Sequence, residues 1–196
     1  MRSLLFVLTL AIGATVGLSL TWFTTVSGYG PGLVRSGPWE TWPRAGTETA
    51  DPYARAAFAR AGELPLELAD GIAFVATMDS NGRPLDGRCD IRISGNLPQA
   101  RFWTLTATDK ASRLIENAAK RSGFTSAEVV WNHDATLDVL VGPRARAGNW
   151  LPTGARERIV LTFRFYDTPI GLANRNSDAP EMPQIVTEHC PWERNG

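Results

Sequence analysis

Lysine is almost missing from this chain: of twenty basic residues only Lys110 and Lys120 are lysines, and the rest are arginine. We read that first as a bias of the source genome and only weakly as function. Twenty acidic residues cancel the charge. A nucleic-acid binder needs a basic surface to displace counterions, so the balance argues against that partner. Histidine is scarce too. His133 and His189 stand far apart, and neither has the i, i+2 or i, i+4 spacing of a metal site with other ligands. No metal and no cofactor are expected. The sequence holds no G-x-S-x-G elbow, no phosphate-cradling Gly-Lys-Ser, no dinucleotide fingerprint and no C-x-x-C. It shows no internal repeat and no second domain. Only two cysteines occur, Cys89 and Cys190.

What is present begins at the N-terminus. Arg2 is followed by an uncharged apolar run from Leu4 to Phe23. About 20 such residues span a bilayer core. A cleavable signal has a shorter apolar core of about 7–15 residues and a small-residue cleavage site. Thr25-Val26-Ser27 is a mediocre site, so an uncleaved anchor fits better than a cleaved signal. Trp22 and Phe23 then sit at the far interface. Arg2 on the short side favours a cytoplasmic N-terminus in the bacterial inner membrane, with the bulk of the chain in the oxidising periplasm. The expected division is an anchor over residues 1–23, a Gly/Ser/Pro-rich linker over 24–38 and one domain over 39–196.

The domain reads as mainly β. Residues 158–166 alternate: Ile159, Leu161, Phe163 and Phe165 fall on one side, Arg158, Thr162 and Arg164 on the other. Period-two alternation rich in aromatic and branched residues is a half-buried strand. Val160 and Tyr166 are apolar exceptions on the second side. Ile72 to Met78 is a nearly continuous apolar run, closed by the Asn81-Gly82 turn signal. Residues 87–94, 101–106, 128–131, 137–141 and 184–188 supply further short strands. Asp51-Pro52 opens a helix of about ten residues that stops at Gly62. Residues 108–121 have local helical character, with Leu114, Ile115 and Ala118 on one face. The expected fold is an antiparallel β-sandwich, jelly-roll-like, with one or two short helices and an N-terminal transmembrane helix before it.

Several motifs occur in a telling order: Asp51-Pro52-Tyr53-Ala54-Arg55-Ala56, Asp79 through Asn81-Gly82-Arg83-Pro84-Leu85-Asp86-Gly87, Phe102-Trp103-Thr104-Leu105-Thr106, Asn149-Trp150-Leu151-Pro152, Phe163-Arg164-Phe165-Tyr166 and Pro183-Gln184-Ile185. Together they resemble the bacterial domain-of-unknown-function 1214 (DUF1214) family in its short, membrane-anchored form, over about residues 37–191. The resemblance implies a jelly-roll-like sandwich. It supplies no activity and no catalytic residues. It also implies only a short helical turn within 108–121.

Candidate site residues follow from residue type. In the loop expected at Asn149-Trp150-Leu151-Pro152, Trp150 either caps the core or lines an open cleft, with Asn149 bonding a loop. Trp39 and Trp42 either dock the linker or form a stacking platform for a sugar or protein partner. His133-Asp134 reads as a solvated turn. Asp79, Asn81, Asp86 and Asp90 crowd one hairpin; they serve the turn backbone or hold a calcium ion, which wants six to eight oxygens. Cys89 and Cys190 are expected to form a disulfide, because both lie outside the cytoplasm. Two separate thiols are the alternative. The functional expectation is a non-catalytic envelope module that binds a glycan, a lipid-linked molecule or a protein. The alternative is an enzyme acting on envelope polysaccharide through carboxylates such as Asp79 and Asp86, which then must share a cleft.

Overall fold

The computed structural model describes residues 2–27, 32–62, 64–67, 69–170 and 180–192. Helix α1 (Arg2–Ser27) carries no charged residue beyond its first. Its Arg2–Thr24 stretch, with mean hydropathy 2.1, is long and apolar enough to cross a membrane, as a signal sequence also is. Two short strands follow, β1 (Val34–Ser36) and β2 (Trp39–Thr41), so β1 lies within the residues read as linker.

Helix α2 (Pro52–Ala61) forms where the sequence places it. The Asp51 carboxylate accepts the Tyr53 and Ala54 N–H groups at 2.8 and 3.4 Å, Pro52 gives up no needed donor, and Gly62 ends the helix at φ 68°. The remaining strands are β3 (Gly71–Ala76), β4 (Asp90–Gly95), β5 (Phe102–Asp109), β6 (Gly123–Thr125), β7 (Leu137–Gly142), β8 (Asn149–Pro152), β9 (Ile159–Tyr166) and β10 (Gln184–His189). They make a six-stranded antiparallel sheet in the order β1-β2-β3-β9-β5-β6 and a four-stranded sheet in the order β10-β4-β7-β8.

The two sheets share one core. Ile72, Phe74 and Ala76 of β3, Trp103, Leu105 and Ala107 of β5, and the four alternating residues of β9 come from the large sheet. Ile91, Ile93, Leu137, Val139, Val141, Leu151 and Ile185 come from the small one. Phe163 lies at the centre, with ring centroids of Trp39, Phe165 and Trp103 at 5.0, 5.4 and 5.5 Å. Such offset and edge-on contacts add to the stabilisation from area buried alone.

Four local expectations are corrected. Residues 108–121 are not helical: Asp109 takes the Ala111 and Arg113 N–H groups at 2.9 and 3.0 Å, Thr108 bridges Leu114, and Ser112 and Lys120 adopt φ 57° and 51°. Side-chain capture of local backbone competes with helix formation. Residues 128–131 form no strand, because the Asn149 carboxamide satisfies the Val130 backbone on both sides, at 2.8 and 2.7 Å. Asn149–Pro152 is strand β8 rather than a loop, and it runs parallel to β7, so the small sheet is mixed. The Asn81-Gly82 turn closes only a small hairpin at the Met78–Pro84 bridge; β3 and β4 then part into different sheets. The polar excursion read over residues 168–183 falls partly outside the described residues.

Candidate ligand groove

Strand alternation sends every second residue of the large sheet away from the core. Ala73 and Val75 of β3, Val160, Thr162 and Arg164 of β9, and Thr108 of β5 lie on that outer face. Solvent would be the ordinary environment there. Instead a second layer arches over it: Trp42 and Pro43 after β2, Phe58 of α2, and Leu64-Pro65-Leu66 after it. Gly46 lets the layer close up, since a Cβ there would lie 2.3 Å from the Leu66 carbonyl oxygen. The layer covers the sheet without filling the space beneath it. A groove of about 540 Å³ remains, within the range of about 300–1,000 Å³ usual for small-molecule sites.

The groove's walls are mixed: Trp42, Phe58, Leu66, Val75 and Val160 give an apolar stretch, and Thr41, Thr108, Ser112 and Thr162 add polar surface of nearly equal extent. Among the described residues its one basic lining residue is Arg164, half-buried, which makes no hydrogen bond or ion pair with any of them. Its one acidic lining residue among the described residues, Glu40, is paired with Arg35 at 2.9 Å. The Trp42 indole N–H is shielded from water and has no acceptor among the described residues. Phe58 meets the Trp42 ring edge-on at 5.6 Å. Thr162 is 7% exposed although its strand position faces away from the core. A half-buried cation and an orphaned N–H are both costly to leave without partners.

The residues singled out in the sequence lie elsewhere, Trp42 apart. Trp39 is fully buried, packs on Phe163 and donates to the Pro183 carbonyl at 2.7 Å, so no ring face is open for a ligand. Asn149 is buried and spent on Val130 and the Asp138 carbonyl. Half-buried Trp150 donates to the Gly142 carbonyl at 3.1 Å. It lines a polar hollow of about 230 Å³ on the small sheet with Asp90, Arg92, Arg146 and Glu188. Those charges already satisfy one another: Arg92 bonds Asp138 and Glu188, and Arg146 bonds Asp90.

Cys89 and Cys190 are bonded, with Cα atoms 4.2 Å apart. Asp79 and Asp86 do not share a cleft. Asp79 is buried in its own turn, whereas Asp86 lines a hollow beside Arg88 and Trp192. Burial raises the Asp86 pKa, but hydrogen bonds from Arg88 outweigh that and hold the carboxyl below its usual range. Asp90 is committed to Arg146, so the four hairpin side chains do not converge on one cation. Asp134 serves its turn, accepting from Thr136.

Sequence reasoning missed the groove. One signal was available: β3 reads as a nearly continuous apolar run, the pattern of a strand covered on both faces.

Fold and groove define a mainly β, two-sheet domain that follows one long apolar helix and carries a half-roofed hollow on an outer face. The chain belongs to the DUF1214 family of proteins of unknown function, whose model matches residues 70–170. The matched residues lie inside the span over which the motifs were read. They include the floor of the groove but not its roof. No curated protein matches the chain. Among solved structures it is similar to the VPA0106 protein from Vibrio parahaemolyticus, at 19% identity and TM-score 0.58 over 70% of this chain and 35% of that one. This chain thus spans about a third of the Vibrio protein, and the likeness is one of fold. An uncharacterised protein from Burkholderia cenocepacia gives TM-score 0.40 at 15% identity, over 61% of this chain and 29% of its own.

Proposed function

We propose that the protein is a non-catalytic binding module held by α1 in the bacterial inner membrane, with its β domain in the periplasm, and that the groove takes a lipid-linked or other amphiphilic small molecule. The observation that carries this reading is a sheet face that is covered but not filled, with an apolar stretch of wall beside a half-buried arginine that has no partner among the described residues. The disulfide supports an oxidising compartment. The position of α2 supports a ligand drawn from the membrane. Phe58 of α2 lines the groove, and Arg60, one half-turn on, stacks over the ring of Trp22 of α1 at 4.8 Å. The groove wall is therefore fastened to the end of the apolar helix. A glycan or protein partner has less support, because the charged groups around Trp150 already pair with one another. The polysaccharide-enzyme alternative has less still, because Asp79 and Asp86 do not share a cleft.

The test uses the full chain in lipid nanodiscs with a photoactivatable hexadecyl compound. Adducts on Phe58, Leu66 or Val75 are expected. Adducts confined to α1 would refute the groove reading. Anchoring is tested separately by membrane fractionation and intact mass. The uncleaved chain is expected in the inner-membrane fraction. A soluble periplasmic form with a mature N-terminus near Gly28 would overturn the anchor.

A further inference from the structure

Resting on the groove reading, we infer that the ligand is a single-chain amphiphile with an anionic head, a carboxylate or a phosphate monoester, and that Arg164 holds that head. Among the described residues the groove has one basic and one acidic lining residue. Glu40 is neutralised by Arg35 at 2.9 Å, so the remaining charge of the lining is that of Arg164. Arg164 sits on the middle strand of the floor: its Cα partners are Ala73 on one side and Thr104 on the other. Neither neighbour carries a charge. The β9 residue two positions back on the same face is Thr162, again neutral.

A planar guanidinium presents parallel N–H groups that match two oxygens of one carboxylate or phosphate. A neutral head would leave that fork unmet in a half-enclosed space. The unpartnered charge on the lining is a cation, and an anionic head complements it where a cationic head does not. Phe58, Leu66, Val75 and Val160 form the apolar part of the wall, which accommodates a hydrocarbon chain. A volume of about 540 Å³ suits one chain rather than two.

The experiment compares three diazirine-bearing probes on the full chain in nanodiscs: hexadecanoic acid, monohexadecyl phosphate and hexadecanol. Labelling of α1 normalises each probe for its concentration in the bilayer. The acid, the phosphate or both are expected to label the groove lining about tenfold more than the alcohol, the factor set by charge-assisted hydrogen bonds. The stronger of the two anions identifies the head. Arg164→Gln is expected to reduce anion labelling to the alcohol's level, and Arg164→Lys to recover part of it. Arg164 has no partner to lose, so both variants are expected to melt as the wild type does. Equal labelling of the groove by alcohol and anions, unchanged in Arg164→Gln, would refute the anionic head and leave the groove reading standing. No labelling of the groove by any probe would refute both.

Discussion

Asp79→Asn is expected to lose about 2–4 kcal/mol at neutral pH, the range for removing a buried acceptor from several donors at once. The Asp79 side chain is fully buried. Its Oδ1 accepts the Asn81 and Arg83 backbone N–H groups, each at 2.9 Å. Its Oδ2 accepts Arg83 Nε at 3.0 Å and the Thr187 hydroxyl at 2.9 Å. One carboxylate thus closes the 79–83 turn and fastens it to β10. Asparagine has the same shape, but one of its ends is a donor. An NH₂ placed at the Oδ2 position faces Arg83 Nε–H, donor against donor. For a chain of this size the loss corresponds to a melting temperature lower by about 5–15 °C. Asp134→Asn, in an exposed turn, is the control and is expected to change little.

The same residue sets a pH dependence. Burial raises the Asp79 pKa, but the hydrogen bonds from Arg83, Thr187 and Asn81 outweigh it and hold the carboxyl below its ordinary value of 3.8. As pH falls, the unfolded chain therefore takes up this proton before the folded one does. The contribution is complete above the unfolded pKa, declines as pH drops toward the folded pKa and is gone below it. The stability gap between wild type and Asp79→Asn is expected to be widest near pH 6–7 and to narrow below about pH 4. Denaturant melts at pH 7, 5 and 3 measure it. A gap that stays constant across that range would show that the carboxylate charge is not what stabilises the turn.

Legibility tracked how local the determining physics is. Asp51, Pro52 and Gly62 specify α2 within ten residues, and each does in the structure what its chemistry dictates. Alternation over 159–166 gave the central strand and its buried face, because a pleat enforces period two. All the failures but one, at residues 108–121, are non-local. Residues 108–121 look helical by spacing, yet the Asp109 side chain captures the backbone first and leaves Leu114 62% exposed. Residues 128–131 look like a strand, but their partner is a single carboxamide from Asn149. The parallel pairing of β7 with β8 is bridged by residues 143–148 alone, far short of the usual crossover of about a dozen residues or more. The groove is the largest omission. Its floor comes from three strands and its roof from residues 42–66, and only Trp42 stood out as a residue type. Val75 and Val160 were visible as apolar residues on faces that should be polar, which shows that a face is covered but not what covers it.

Cys89→Ala with Cys190→Ala is expected to lose about 2–4 kcal/mol, below the chain-entropy ceiling of about 4–5 kcal/mol for a loop of this size. The bridge spans a sequence separation of 101 residues. It ties the turn before β4 to the residue after β10, and β10 is an edge strand, paired with β4 on one side and held on the other by the 79–83 turn, where Ser80 bonds the Ile185 backbone at 2.8 and 3.0 Å. Both sulfurs lie in the core, so alanine also removes packing there. Thiol titration of unfolded, unreduced protein from the periplasm is expected to find no free thiol; finding two would refute the bridge. Thr187 and Cys190 lie three positions apart at the end of β10, so Asp79 and the disulfide fasten the same stretch. Once either is lost, that end of the strand frays and the other has less ordered structure to hold. Combining Asp79→Asn with the cysteine pair is therefore expected to cost less than the sum of the two, by about 0.5–3 kcal/mol, the span of coupling seen between neighbouring interactions. Amide exchange across residues 184–189 reads the fraying directly, and strict additivity with unchanged exchange there would show that the two fasten β10 independently.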